Sequence, residues 1–288
     1  MTCMTGARGA GLWLLAVLAL TGCGPARPGA MTPTLPPAGL WNTYMDEGQK
    51  AFQEERYAEA EKFFEAALKE AQQLRIVDPE SPNKPGIGDP RVATSLVSLG
   101  DVYLAEGKVD EAIQTYQQCL ALTEGTLGPD EPFVAIALNG LGRAYVAQGK
   151  YTEAEEQFRR AIRINEKKLG ATHPAVATSL TNMADLDVVL GKPAEAEALY
   201  KRALAIREAS LGPNSLDVAA SQASLAVLYF SQGNVAQAKP LYQQSLAIQA
   251  KVLGPNHPRF IASLEKYSNL LRKAEEESHR PVSEPSPK

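Results

Sequence analysis

The sequence predicts an all-α protein in which pairs of helices stack into an α-solenoid. Glycines recur at a constant interval of 42 residues, at Gly107, Gly149, Gly191 and Gly233. The dipeptide Leu-Gly recurs at the same interval from Leu127 onwards. Between these markers, apolar residues follow the three-and-four-residue spacing of one helix face. A fixed period of roughly 20 to 50 residues with helical spacing is typical of a repeat array, whose units are stable only when stacked.

The first residues, 1–22, predict an export signal. Arg8 supplies a positive charge, and the apolar run from Ala10 to Leu20 follows it. This run is too short for a helix that crosses a hydrocarbon core of roughly 30 Å. The run ends in Leu20-Thr21-Gly22-Cys23, which resembles the bacterial lipobox. The resemblance implies cleavage before Cys23 and a lipid on its side chain; the alternative is an ordinary signal peptide with an incidental cysteine.

Residues 23–39 predict a tether between that lipid and the folded part. Proline is frequent here, and it excludes both a helix and a central strand. By resemblance to lipoproteins, Gly24 after the cysteine implies attachment to the outer membrane, facing the periplasm, in a Gram-negative host. The lipid bilayer is therefore one expected partner, and the cell envelope is the expected location.

The repeat array is predicted over residues 40–277, as five helix pairs and a final helix. The first unit precedes the second by 52 residues instead of 42, and the extra ten fall in the Pro-rich loop Val77–Pro90. Prolines stand where the first helix of a pair should begin, because a helix start needs no donor there. The last helix, Pro258–Glu277, has a charged end that suits a cap. Residues 278–288 are polar and Pro-rich, which predicts a disordered tail.

The repeat unit resembles a known family. Leu141-Gly142, Ala144-Tyr145, Gln148-Gly149-Lys150-Tyr151 and Glu153-Ala154-Glu155 reproduce the signature of the tetratricopeptide repeat (TPR), in its 42-residue kinesin light chain form. The resemblance implies a right-handed α-solenoid of five TPR helix pairs plus a C-terminal capping helix. It also implies that the protein binds a protein or peptide ligand.

In this family the first helices of successive repeats line a concave groove that holds an extended or helical segment of the partner. Chaperone-binding members use a Lys/Asn/Arg clamp for a terminal carboxylate, and the positions here do not reproduce it. The groove residues that the resemblance implies are Asn42, Met45, Gln49, Thr94, Val97, Asp101, Ile136, Asn139, Arg143, Thr178, Thr181, Asp185, Ala220, Ala223 and Val227.

Charges alternate along this groove at Asp101, Arg143 and Asp185, one per repeat. They predict pairing between adjacent helices; the alternative is a solvated charge ladder with little role in binding.

Two residues depart from the repeat pattern. Asp187 stands where other repeats have tyrosine, and a carboxylate at a packing position is costly unless it is paired or hydrated. It marks either a local pocket or a looser fourth repeat. Pro240 lies beyond the first turn of a second helix, where it should remove a backbone bond and kink the helix.

The sequence offers no site for chemistry. The net charge of −4 argues against nucleic-acid binding. His173 and His257 share a repeat position but lie two repeats apart, too far for one metal ion, and each precedes a proline at a helix start. Cys119 stands where other repeats have alanine or serine, which predicts a small buried packing residue. No catalytic motif, cofactor site or small-molecule substrate is predicted.

These features together predict a non-enzymatic, lipid-anchored scaffold that binds a partner protein or peptide in the cell envelope. The first alternative is an assembly factor of a pilus or secretion machine, docking by its convex face or by loop 77–90. The second is a regulatory partner of a separately encoded hydrolase.

Overall fold

The computed structural model describes residues 39–73 and 90–278, and within these ranges the chain is helical with no strand. The export signal, Cys23, the tether before Gly39, most of the loop insertion and the tail beyond Ser278 lie outside the described residues. The helices are α1 Gly39–Gln53, α2 Tyr57–Gln73, α3 Pro90–Ala105, α4 Val109–Leu127, α5 Pro132–Ala147, α6 Tyr151–Leu169, α7 Pro174–Val189, α8 Pro193–Leu211, α9 Leu216–Ser231, α10 Val235–Leu253 and α11 Pro258–Ser278.

The helices form five pairs followed by one further helix, as the repeat predicted. Each helix packs against the next one in the chain, and first helices of neighbouring repeats also touch, as α3 does with α5 and α5 with α7. The buried apolar residues form a series of clusters along the array, each built from adjacent helices. This arrangement is an α-solenoid, because each repeat buries its apolar face against its neighbours.

A buried aromatic ring on each second helix packs against a small residue on the first helix of the same repeat. Phe64, Tyr116 and Phe158 lie against Gly48, Gly100 and Gly142, and a Cβ added at any of these glycines would come within 2.4–2.6 Å of the ring. The last two repeats have alanine at the small position, at 184 and 226, and accommodate its methyl group beside Tyr200 and Tyr242. Ring and small residue together set how closely the two helices approach.

The helix ends follow the predicted signals. Helices α3, α5, α7 and α11 begin at a proline, and Gly107 after α3 has the positive φ of 76° that favours glycine. Nδ1 of His173 accepts a hydrogen bond from the backbone N–H of Ala175 at 3.1 Å, and Nδ1 of His257 accepts one from Arg259 at 3.2 Å. Burial lowers the pKa of His173, which favours the neutral imidazole that such an acceptor requires. The two histidines therefore cap the helices that begin at the prolines after them.

Cys119 is buried and 1% exposed, in agreement with the predicted packing role. Its thiol donates to the carbonyl oxygen of Ala93, and burial raises its pKa to about 12. Helix α10 continues through Pro240, whose exposed ring lies on its outer side. The helix is therefore continuous at Pro240, and the kink expected from the sequence stays a prediction.

The described helices extend one residue beyond the predicted array at each end, to Gly39 and Ser278. The first repeat is joined to the second by side chains as well as by the chain, because the indole of Trp41 donates to the hydroxyl of Ser95 at 3.0 Å. None of these helices combines the length and apolar character needed to cross a membrane.

Candidate partner-binding groove

The residues predicted to line the groove lie on the first helices, α1, α3, α5, α7 and α9, and most of them are exposed or half-buried. Asn42 and Gln49 are exposed on α1, Ile136 on α5 and Ala220 on α9. Their repeated register places one set of accessible side chains on each successive repeat. The surface they form is called the groove below.

Two of the predicted groove residues point into the array instead. Met45 is 5% exposed, and its sulfur accepts a hydrogen bond from the hydroxyl of Ser95 at 3.8 Å. Asn139 is 9% exposed and donates from its amide nitrogen to the hydroxyl of Ser179 at 2.8 Å. The family resemblance predicted which face of the first helix lines the groove. It did not predict which side chains on that face are covered by the first helix of a neighbouring repeat. Met45 and Asn139 therefore stabilise contacts between repeats.

The predicted charge pairing is present between the second and third repeats. The guanidinium of Arg143 contacts the carboxylate of Asp101, across 42 residues of sequence. The Tyr116 hydroxyl donates to the same carboxylate oxygen at 2.6 Å and lies 3.3 Å from the guanidinium. The Asp101 charge raises the pKa of Arg143, and burial raises that of Tyr116. Asp101, Arg143 and Tyr116 thus form one closed network.

The third member of the charge series, Asp185, has a different environment. Its carboxylate accepts a hydrogen bond from the hydroxyl of Tyr200, which lies 15 residues later in the chain. The carboxylate of Asp101 likewise accepts a hydrogen bond from the hydroxyl of Tyr116, which also lies 15 residues later. Phe158 occupies the equivalent aromatic position beside Arg143, where no acceptor needs a hydroxyl. Aspartate and tyrosine therefore occur together in the second and fourth repeats.

Asp185 lies in a depression of about 290 Å³ in the C-terminal part of the groove. Three predicted groove residues meet there, Asp185 from α7 with Ala223 and Val227 from α9. Lys266 of α11 lines the same depression, so the final helix contributes to the surface as well as closing the array. The depression is lined by Asp185, Val188, Tyr200, Ala223, Ser224, Val227 and Lys266.

Sequence reasoning missed Arg207, a cation on α8 beside this surface. It donates to the hydroxyl of the groove residue Thr181 at 3.1 Å and to that of buried Ser221 at 2.5 Å. Burial lowers the pKa of this guanidinium. The signal was in the repeat register, since equivalent positions hold the uncharged residues Thr123, Asn165 and Gln249.

Asp187 is 4% exposed, so the structure places this carboxylate inside the fourth repeat. Burial raises its pKa, and the charge of Lys192 compensates only in part. Its equivalent Tyr103 has the ammonium of Lys108 over its ring, 5.5 Å from the centroid. Asp187 does not line the depression beside Asp185.

In the part of the chain that the structure describes, no cluster of three or more His, Cys, Asp or Glu side chains is placed to hold a metal ion. The groove presents hydroxyl groups, charges and small apolar side chains, which are groups suited to recognition of a polypeptide segment.

A sequence model described as "Tetratricopeptide repeat" matches the chain in four overlapping segments, 91–167, 147–209, 175–251 and 217–278. The matches run from the second repeat through the final helix. No curated protein matches the chain in a sequence comparison.

Solved structures with the same architecture include kinesin-light-chain-like proteins. A Podospora anserina kinesin light chain with nearly identical TPR-like repeats is 28% identical, with a TM-score of 0.52, over 77% of this chain and 98% of that one. BtubC (BKLC) from P. vanneervenii is 22% identical, with a TM-score of 0.56, over 77% of this chain and 84% of that one. A Rap protein complexed with Competence and Sporulation Factor is 17% identical, with a TM-score of 0.60, over 87% and 69%.

Proposed function

Because the chain belongs to the tetratricopeptide repeat family, we propose that it is a non-enzymatic scaffold which binds a segment of a partner protein in its groove. We further propose that a lipid on Cys23 holds this scaffold in the cell envelope, at the outer membrane and facing the periplasm. The function is positioning: the array presents a preformed surface, and a preformed surface binds without the cost of ordering itself.

The observation that carries the proposal is the depression lined by Asp185, Ala223 and Val227. These three residues were predicted as groove residues from the family resemblance, and in the structure they line one accessible concavity. Apolar and charged groups stand side by side there. That combination provides both contact area and orientation for a bound segment.

A matched pair of variants tests whether the groove is the binding surface. Ala220 on α9 and Ala205 on α8 are both exposed helical alanines, and only Ala220 belongs to the groove. We expect Ala220→Lys to reduce partner recovery in affinity purification from the native membrane, read by mass spectrometry, while Ala205→Lys leaves it unchanged. Circular dichroism should show equal helix content in both. Loss of partners with Ala205→Lys alone contradicts the groove and favours docking through the second helices.

The envelope anchor is tested separately. Cys23→Ser removes the only sulfur that the lipobox resemblance assigns to the lipid, and stable attachment needs acyl chains buried in the bilayer. We expect the protein to move from the membrane fraction to the soluble fraction. A Cys119→Ser variant is the control, since this thiol is buried within the array. Unchanged membrane association of Cys23→Ser contradicts the anchor and leaves the groove proposal standing.

A further inference from the structure

Asp101 and Asp185 are equivalent residues, but of these two only Asp101 forms an ion pair with a cation of the described residues. The carboxylate of each accepts a hydrogen bond from the hydroxyl of the tyrosine that lies 15 residues later. Arg143, 42 residues after Asp101, pairs with that carboxylate. The residue 42 positions after Asp185 is Val227. Among the described residues, no lysine, arginine or histidine forms an ion pair with Asp185 within 4.0 Å.

Charges near Asp185 do not replace the missing partner. Burial raises the pKa of Asp185, whereas the Tyr200 hydroxyl and the more distant charges of Arg207 and Arg143 lower it without restoring the ordinary value. The guanidinium of Arg207 is directed to the hydroxyls of Thr181 and Ser221. Lys266 lines the depression and is exposed, but it forms no ion pair with Asp185. A cation that reached Asp185 directly would therefore gain a charge-assisted hydrogen bond.

The walls around Asp185 suit the aliphatic part of a basic side chain. Val188, Ala223 and Val227 supply apolar contact, and Val188 is 40% exposed although it is a large hydrophobic residue. Lysine and arginine bury their methylene stems on apolar surface and keep the charged head on a polar partner. The apolar walls can therefore contact the methylene stem, and the Asp185 carboxylate can contact the charged head.

We propose that Asp185 and the surrounding depression form a subsite for a lysine or arginine side chain of the bound partner segment. The ammonium or guanidinium contacts the Asp185 carboxylate, which Tyr200 orients, and the stem covers Val227 and Ala223. The incoming side chain takes the place that Arg143 has beside Asp101. This inference rests on the proposed function, because it specifies the partner that the same groove accepts.

The test is a selection of random 12-residue peptides displayed on phage against the purified Cys23→Ser protein, which keeps the whole array and lacks the proposed lipid attachment site. We expect the enriched peptides to share a basic residue at a fixed position. Synthetic peptides with the selected sequence should bind Asp185→Asn at least about tenfold more weakly, because asparagine retains an acceptor for Tyr200 but removes the charge. Replacing the basic residue by norleucine should weaken binding to the wild type and leave binding to Asp185→Asn unchanged.

Two further variants separate the subsite from general effects on the array. Val227→Arg supplies an internal cation in the register of Arg143, and we expect the same loss of peptide binding. Asp187→Asn is the matched control, because it removes a carboxylate on the same helix as Asp185 that does not line the depression, and we expect affinity within about twofold of the wild type.

Three results overturn the inference. In the first, the enriched peptides share no basic residue, Ala220→Lys abolishes their binding and Asp185→Asn leaves their affinity unchanged. This result contradicts the subsite but agrees with binding in the groove. In the second, the enriched peptides share acidic residues and Lys266→Gln weakens their binding. This result means that the depression binds an anionic group instead. Absence of any enrichment in the wild type contradicts groove binding of peptides and the subsite with it.

Discussion

The second and fourth repeats have the same backbone plan and differ in the charges they carry. Both place an aspartate under a buried tyrosine hydroxyl. The second repeat has Gly100 and Tyr103 where the fourth has Ala184 and Asp187, and Arg143 follows the second repeat where Val227 follows the fourth. The aspartate of the second repeat is therefore neutralised by a cation from the following repeat, whereas the fourth contains two aspartates whose pKa is raised by burial.

This difference shows that a contact made within each repeat, the ring against the small residue, is retained in both, while the neutralisation of the groove aspartate depends on the following repeat. The ring and the small residue that lie together are 16 positions apart in one helix pair. The cation that neutralises Asp101 comes from the next repeat. A substitution in one repeat can thus leave its own fold intact and change the electrostatics of its neighbour.

The largest expected effect comes from the packing of the second repeat. Tyr116 is fully buried between Gly100 and Gly140, and a Cβ at Gly140 would lie 2.2 Å from its ring. We expect Gly140→Ala to lower the free energy of unfolding by about 2 kcal/mol, because the ring has no open space to move into. Urea unfolding followed by circular dichroism measures the change.

Gly125→Ala is the control for that substitution. Gly125 lies in α4, the helix that contains Tyr116, and a Cβ there would meet no atom within 4 Å. Alanine in a helix interior restricts the unfolded chain, so we expect a gain of about 0.7 kcal/mol. A gain for Gly140→Ala equal to that for Gly125→Ala would show that helix propensity, not the Tyr116 contact, dominates.

The next effect concerns the buried carboxylate of the fourth repeat. Because its folded-state pKa is raised, Asp187 favours the folded protein when protonated, and this contribution is lost as the pH rises from 3.8 through the raised value. We expect Asp187→Asn to stabilise the array by about 1 kcal/mol at neutral pH, since no charge is then buried. The gain should shrink as the pH approaches 3.8, in urea midpoints measured across that range. A gain independent of pH would mean that charge burial is not its cause.

The smallest effect comes from the ion pair of the second repeat. The side chains of Arg143 and Asp101 are 43% and 34% exposed, so solvent screens their attraction. We expect Arg143→Met to cost about 0.5 kcal/mol and to reduce the salt dependence of stability. The reciprocal Val227→Arg should gain a similar amount in the fourth repeat. A cost well above 1 kcal/mol would indicate that the array depends on the network with Tyr116.

Much of the fold was accessible from the sequence because repetition samples each position several times. One proline at a helix start is weak evidence, but Pro90, Pro132, Pro174 and Pro258 in register predict four helix starts, and all four are present. The same comparison identified Cys119 as a packing residue. The sequence predicted which helix faces line the groove, but Met45 and Asn139 on those faces are buried. The position of a residue on a helix face does not show whether a neighbouring helix covers it.

The sequence by itself determined the helix pairs, their order and the residues that hold them together, since these depend on local spacing and on a period of 42. Only the tertiary structure decided which charges are paired. Asp101 and Asp185 are indistinguishable in their own repeats, and one has a cation beside it while the other faces valine. Electrostatic interactions fall with distance and with solvent exposure, so the character of each carboxylate depends on side chains that the fold brings from other repeats.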